Sequence, residues 1–530
     1  MVVKAVKNRE ELNHSRMLRQ NTWGDHPEVN EFVNRIFNDH FPDLKKIRKK
    51  HLKVVLLDLY VCWYYDPDMC LGVHFNKNKY KAGSVNNALH ISELTIPVVK
   101  RLSDDGFIYM KLGNNVVINK ITRIWPSEKL IALFEKASFN ILDIREAPNT
   151  NPIVLRTEDP NYIPKNSRDK IPKIDVDYEP DEECEAMIKV GIEYNELLYR
   201  THIDCGHLTK PFIERKKGRN QNKPAKIQIN QSNKFVRRIF NVDTEHGCNY
   251  LWGKGGRFYG GFWQQLGKED RSHIRLNGEL AIELDFSGWH VALCYARKDI
   301  NYYDTYGFKA DPYEIEVPEI EGEQHEDYKR WLIKTVMLVA INAKDEASTI
   351  GAVRHTDTPD DPDIVRPDDL KLTDVLILSI LNKLKEKHSD IAEFFCSGAG
   401  IELQNIDGRM TESIIKKFTA DEVPVLTIHD SYMVPESYNH VLFSEMLVAF
   451  KAIGLEGKHL GGEGLSSLES DLAFTKVKQL GYVDELYDDE EPAGGKEHCD
   501  MDYQKSLDFK PTPAYNRRLQ DFQKWKANLP

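Results

Sequence analysis

GELAIELDFSGWHVALCYA, residues 278–296, joins a strand pattern, a turn and an apolar helix start. Ile282, Leu284 and Phe286 alternate with Glu283, Asp285 and Ser287, and a period of two predicts a strand. Ser287–Gly288 predicts a turn, and WHVALCYA the start of an apolar helix. Asp285 therefore stands at the strand's end, beside the turn. A carboxylate placed there can reach a metal ion without being stranded in a core, where an unpaired charge is costly. An ordinary surface Asp on a half-buried strand has the same pattern, so this segment does not decide function alone.

Working outward, EVPVLTIHDSYMVP (422–435) has apolar Val423, Val425 and Leu426 before His429-Asp430-Ser431, and Tyr432 to Pro435 after it. That predicts a tight β-hairpin with Asp430 at its apex, where Asp is also a common turn former. KRWLIKTVMLVAINAKDEA (329–347) predicts a helix with Arg330 and Lys334 on one face. Two stacked like charges cost helix stability. An anion such as a nucleoside triphosphate lying on that face would offset the cost. GGRFYGGFW (255–263) flanks Arg257 and Tyr259 with glycines, which permit close backbone approach to a partner.

In chain order these segments run GRxY, strand with Asp, Arg-xxx-Lys helix and His-Asp-Ser hairpin. Over roughly residues 250–440 that order resembles the palm and fingers of family A DNA polymerases and, more closely, single-subunit phage-type RNA polymerases. ELQNIDGRMTESIIKKF (402–418) is similar to the helix that precedes the hairpin in the family A enzymes. The resemblance implies an α+β, right-hand polymerase-like palm and fingers. It implies Asp285 and Asp430 as ligands of Mg²⁺ or Mn²⁺, and Lys334 as the catalytic charge at the leaving pyrophosphate. Arg330 and Lys334 would hold the triphosphate of an NTP or dNTP. His429 would support the primer end, and Arg257 and Tyr259 would touch the template and its product. Two positions depart from the pattern. The relatives' aromatic residue, eight after Lys334, is Asn342 here. The Glu or small residue five after the first Asp is His290. Both belong to sugar recognition, so the choice between NTP and dNTP stays open.

Before the matched region, residues 91–106 predict a helix interrupted at Pro97 and stopped at Gly106. FIYMKLGNNVVINKI (107–121) predicts a hairpin around Gly-Asn-Asn, and PSEKLIALFEKA (126–137) a further helix. Helix, wing, helix resembles a winged-helix domain, with Lys100, Arg101, Lys111, Lys120 and Arg123 as candidates for phosphate contact. VVLLDLYVCWYY (54–65) predicts a buried helix. The expected organisation is a helical, winged-helix-like domain at 1–144, a Pro/Asn/Asp-rich linker at 145–181, and a helical, basic, thumb-like region at 182–250. The palm and fingers follow at 251–480, and a charged tail at 481–530.

The net charge of −11 argues on average against a nucleic-acid partner, because phosphate binding draws on Lys and Arg. The charge is segregated, however. From Lys210 to Arg238 ten basic residues, including Arg215, Lys216, Lys217, Arg237 and Arg238, face only Glu214. That run sits just ahead of the chemical motifs and supports a nucleic-acid template and primer as partners. No stretch of eighteen apolar residues occurs, so no membrane span is expected. The polar start, MVVKAVKNREELNHSR, and scattered cysteines without a CxxC pair suit the cytoplasm of a bacterial or phage-infected cell. His202-x-x-Cys205 and His246-x-Cys248 could supply four zinc ligands, but the second spacing is tighter than structural zinc sites use, so zinc is not expected. The expected function is a polymerase of a phage or mobile element, with primase activity and recruitment proteins as options. The alternative is a DNA-binding replication initiator or regulator with a degenerate palm.

Overall fold

Apolar runs separated by Gly, Pro and Asn turns fold here into a mixed α+β structure with several sheets, one curled into a half-barrel. The computed structural model describes residues 6–113, 121–164, 171–215, 226–242, 250–286, 288–300, 302–306, 310–356, 359, 364–459, 477–480 and 510–529.

The N-terminal region packs around helix α1 (Lys49–Tyr65), which buries Leu52, Val55, Leu56 and Leu59 as its sequence predicts. Asp58 is fully buried on it, and every lone pair is used. Arg16 donates twice, at 2.8 and 2.7 Å, the Arg19 backbone N–H donates at 2.9 Å, and the Thr22 hydroxyl at 3.2 Å. Burying a carboxylate is tolerable only with such a shell. Strand β1 (Cys70–Val73), helix α2 (Thr95–Asp104), strands β2 (Ile108–Lys111) and β3 (Thr122–Pro126) and helix α3 (Glu128–Phe134) complete the region. The short strand Ser15–Met17 joins β1, β3 and β2, in that order, in a four-stranded sheet.

Several boundaries differ from those expected. Pro97 lies in the first turn of α2, where its missing N–H has no intrahelical acceptor to lose, so it does not break the helix. Gly106, with φ 73°, follows the helix end as expected. The second hairpin strand begins at Thr122, after the alternation that had marked it, and 114–120 lie outside the described residues. Pro126 closes β3, and Ser127 caps α3 instead. Arg123 is not a phosphate contact. It is buried and donates to the Leu12 carbonyl and the Ser15 hydroxyl. Arg101 is taken by Asp105 and Asp43. Lys120 lies outside the described residues.

The stretch 145–181 is not a linker. Arg145–Glu146 pairs with Thr22–Trp23, and strand β4 (Ile153–Glu158) enters the interior of a second sheet. Its Pro- and Asn-rich flanks diluted the apolar Ile153-Val154-Leu155 in any averaged composition. Helix α4 (Glu182–Tyr199) is capped by Asp181. Beyond it the expected helical region is mostly strands: Ile203–Cys205, Phe212–Glu214, Lys226–Gln228 and β5 (Val236–Asn241). Much of the basic run, 216–225, lies outside the described residues. Strand β6 (Gly255–Gly260) pairs with β5, and β5 with β4.

The remaining elements carry the site. They are strand β7 (Glu279–Phe286), helix α5 (Trp289–Ala296), helix α6 (Glu326–Asn342), helix α7 (Gly400–Ala420) and the hairpin β8 (Leu426–Ile428) and β9 (Ser431–Pro435). Helix α6 ends at Asn342, short of the predicted 347, because Asp345 caps a new helix, Glu346–His355. The tail is more than a charged extension. Helix α8 (Pro513–Ala527) returns Phe522 and Trp525 to the N-terminal core, and Arg518 ion-pairs with Asp204 at 2.6 Å. Residues 481–509 lie outside the described residues. Among the described residues no helix is long and apolar enough to cross a membrane.

Candidate active site

Strands β7 and β9 run antiparallel with Asp285 opposite Ser431. Residues facing each other in such a pair stand about 4.5–5.5 Å apart at Cα. Asp430, the next residue, is therefore set beside Asp285 although the chain separates them widely. The β8–β9 loop is only His429–Asp430, and His429 takes a left-handed backbone, φ 56°, to close it. Both aspartates are partly exposed. Asp430 makes no hydrogen bond or ion pair to another described residue.

The apex is held in place from behind. The Ser431 hydroxyl donates to Glu283 Oε1 at 2.7 Å, and Arg271 clasps both Glu283 oxygens at 2.8 and 2.9 Å. Glu283 thus ties the hairpin to β7. Its alternation with Leu284 and Asp285 was visible, but not its cross-strand partner.

Strand β6 lies against helix α7 at unusually close range. A Cβ on Gly408 would stand 2.1 Å from the Gly256 carbonyl. Gly408 of the helix therefore admits the strand, while a Cβ on Gly256 would meet the Phe240 ring at 2.7 Å and the Asn405 amide at 3.2 Å. The contact brings Arg257 Nε to Asp407 Oδ2 at 2.5 Å. Asp407 is fully buried, and burial pushes its carboxyl up to about 7, with the Asp430 charge adding and Arg257 opposing. The indole N–H of Trp289 also acts on this carboxyl and lowers it, although neither it nor Oδ1 makes a hydrogen bond of good geometry among the described residues. Asp407 was missed in the sequence. The signal was there: Leu403, Met410 and Ile414 set a buried helix face that includes position 407.

The other expected residues divide into two groups. Tyr259 and His429 meet edge to face with ring centroids 5.9 Å apart. His290, on α5, is held neutral, its imidazole lowered to about 4 by burial and then by the Arg257 and Lys334 cations, with Asp430 opposing. Burial and Arg257 lower His429 likewise. Asp430, Arg257, His290, His429, Tyr259 and Lys334 therefore share one locality, with Asp285 joined by register. Arg330 and Lys334 do stack on one face, 5.5 and 6.0 Å from the Tyr313 ring, but Arg330 is already ion-paired with Asp311. Asn342 sits about 12 Å along the helix from Lys334. Its amide donates to the Leu338 carbonyl at 2.7 Å, and its other side abuts Gly400. It stands exposed at the end of α6, bonded back to its own helix.

His202 and Cys205 are both buried, with His202 3.7 Å from Asp204 and Cys205 directed to the Asp270 carbonyl. The other half of the zinc pattern, His246 and Cys248, lies outside the described residues. No group of three or more His, Cys, Asp and Glu gathers in metal-binding geometry among the described residues. Scanned against protein-family models and searched against curated proteins, the chain returns no match.

Proposed function

We propose that the chain is a template-directed nucleotidyltransferase. Its palm would be β7, β8, β9 and α7, its fingers helix α6, and its recruitment module the winged-helix-like α2, β2, β3 and α3. The observation that carries this reading is the strand register that pairs Asp285 with Ser431, the residue next to Asp430. Two further features support it: Asp430 makes no hydrogen bond or ion pair among the described residues, and Lys334 faces the same histidine as Arg257.

The donor set suits Mg²⁺ or Mn²⁺, which prefer a few carboxylates completed by water and phosphate oxygens. Asp285 and Asp430 would hold the ions, which clamp the attacking 3′-oxygen and the leaving pyrophosphate when bound. Lys334 places positive charge where the pyrophosphate leaves. His290, kept neutral, offers a hydrogen bond near the sugar without adding charge. Arg257, braced by Asp407, faces the strand with Tyr259 beside it. Arg330 reaches the triphosphate by exchanging Asp311 for it. The partners on this reading are primer, template, and an NTP or dNTP.

A second reading, a nucleic-acid-binding initiator or regulator, is favoured by Asn342 bonding back to its own helix and by the carboxylate already on Arg330. One gel decides. The protein is incubated with Mg²⁺, primer–template and either four dNTPs or four NTPs, with and without primer. Extension that falls to background in both Asp285→Ala and Asp430→Ala supports the polymerase. Extension that survives both substitutions overturns it.

A further inference from the structure

Arg19 is the one guanidinium near the β5–β6 sheet face that makes no hydrogen bond or ion pair to any described residue. It lies where the N-terminal region meets the second sheet. Its surroundings are already charged and already paired. Arg16 is spent on Asp58, and Arg237, on β5, is spent on Glu146. Asp58 and Glu146 lie within electrostatic reach of Arg19, but so do the Arg16 and Arg237 cations. Burial and those like charges lower its guanidinium to about 10. The side chain still opens partly to solvent.

The neighbouring polar groups are also short of partners. The Asn21 amide donates to Glu146 Oε1 and to the Asn86 carbonyl, both at 3.2 Å. Asn21 Oδ1 and both polar atoms of the Asn86 side chain are buried without a hydrogen bond. Folding alone does not favour such a place, because a crowded cation and unmade hydrogen bonds each cost stability.

The sheet face connects this place to the candidate active site. Arg237 is directly opposite Tyr259 across β5 and β6, and Ile239 is opposite Arg257. Alternation puts Arg237, Ile239, Arg257 and Tyr259 on one face. Tyr259 in turn touches His429 at the hairpin apex. A path of arginine and tyrosine thus runs from Asp430 across the sheet to the N-terminal region, and its far end is the unpaired Arg19.

We propose that Arg19, beside the Glu146-paired Arg237, binds a phosphodiester of a nucleic-acid strand running across this face between the Asp285/Asp430 cleft and the N-terminal region. This rests on the nucleic-acid part of the function proposed above and not on its catalytic part.

The test is fluorescence anisotropy of the full chain with a labelled primer–template carrying a long single-stranded overhang. No divalent ion or nucleotide is added, and salt is varied. Losing one single-strand phosphate contact flattens the slope of log K against log salt by about 0.7. Arg19→Gln is expected to show that flattening, with a melting temperature equal to or above wild type because a repelled cation has gone. Arg19→Lys, which keeps the charge, should retain the slope. A wild-type slope in Arg19→Gln overturns the proposal, and so does equal flattening in Arg19→Lys. If the wild type extends primers while Arg19→Gln keeps its slope, this site alone is wrong. If the slope depends on Arg19 and nothing is extended, only the polymerase reading is wrong.

Discussion

Asp58 and Asp407 are both fully buried on long helices, and the protein treats them in opposite ways. Around Asp58 the shell is complete: two guanidinium donors, a backbone N–H and a hydroxyl fill its oxygens. Around Asp407 one oxygen has Arg257, and the other has only the Trp289 indole, without a hydrogen bond of good geometry among the described residues. Asp430, nearby, makes no hydrogen bond or ion pair among the described residues. Buried polar groups are nearly always satisfied, so a local shortage marks a place shaped by something other than stability. The N-terminal carboxylate is structural, and the shortage around Asp430 and Asp407 belongs to the candidate active site.

Removing each carboxylate separates these roles. Asp58→Ala leaves Arg16 half-buried and uncompensated, and should cost about 3 kcal/mol of folding stability, the scale for breaking a buried pair. Asp430→Ala removes a partly exposed charge that accepts no hydrogen bond among the described residues, so the melting temperature should stay within a few degrees while extension disappears. Denaturant titration and the extension gel check both. Comparable destabilisation in the two variants would break the contrast.

Lys334→Ala comes next. If its charge meets developing charge at the pyrophosphate, kcat should fall about 10²–10³-fold, the usual cost of removing one such donor. KM should change far less. A loss confined to KM would move Lys334 from the transition state to ground-state binding.

The Asp407 carboxyl gives a smaller, pH-dependent signature. Its folded value, about 7, lies above the ordinary 3.8, so the folded chain holds a proton that the unfolded chain releases. Stability from this group is greatest below about pH 4, falls as pH rises through the folded value, and is level above it. Asp407→Asn should remove that decline, read as the difference in unfolding free energy between variant and wild type from pH 4 to 8. Parallel profiles would show that Arg257 keeps the carboxyl ionised throughout.

The contrast also explains what the sequence disclosed. Strand β7 and the β8–β9 hairpin were legible because alternation and a tight turn are local signals, and Asp285 and Asp430 came with them. Helix α1 was legible for the same reason. The partners of those residues were not. Glu283 to Ser431 and Arg257 to Asp407 join positions far apart in the chain, and no local pattern encodes a register. Strand β4 was hidden by its Pro- and Asn-rich flanks. Asn342 was assigned by counting from Lys334, and counting along a helix does not say which neighbour the far end packs against.

Arg330 gives the smallest effect, and it bears on whether the fingers helix binds triphosphate at all. Its guanidinium is exposed and paired with an Asp311 carboxylate that any incoming phosphate must displace. Exposed pairs contribute at most about 1 kcal/mol, so relieving this competition can tighten nucleotide binding by no more than about fivefold. Asp311→Asn should therefore lower nucleotide KM by about two- to fivefold and leave kcat alone, since the pair is broken before chemistry begins. Adding salt should shrink the difference, because salt already screens the pair in the wild type. If KM does not move, or rises with loss of stability, Asp311 is a brace for Tyr313 and α6, and Arg330 belongs with the structural arginines such as Arg16.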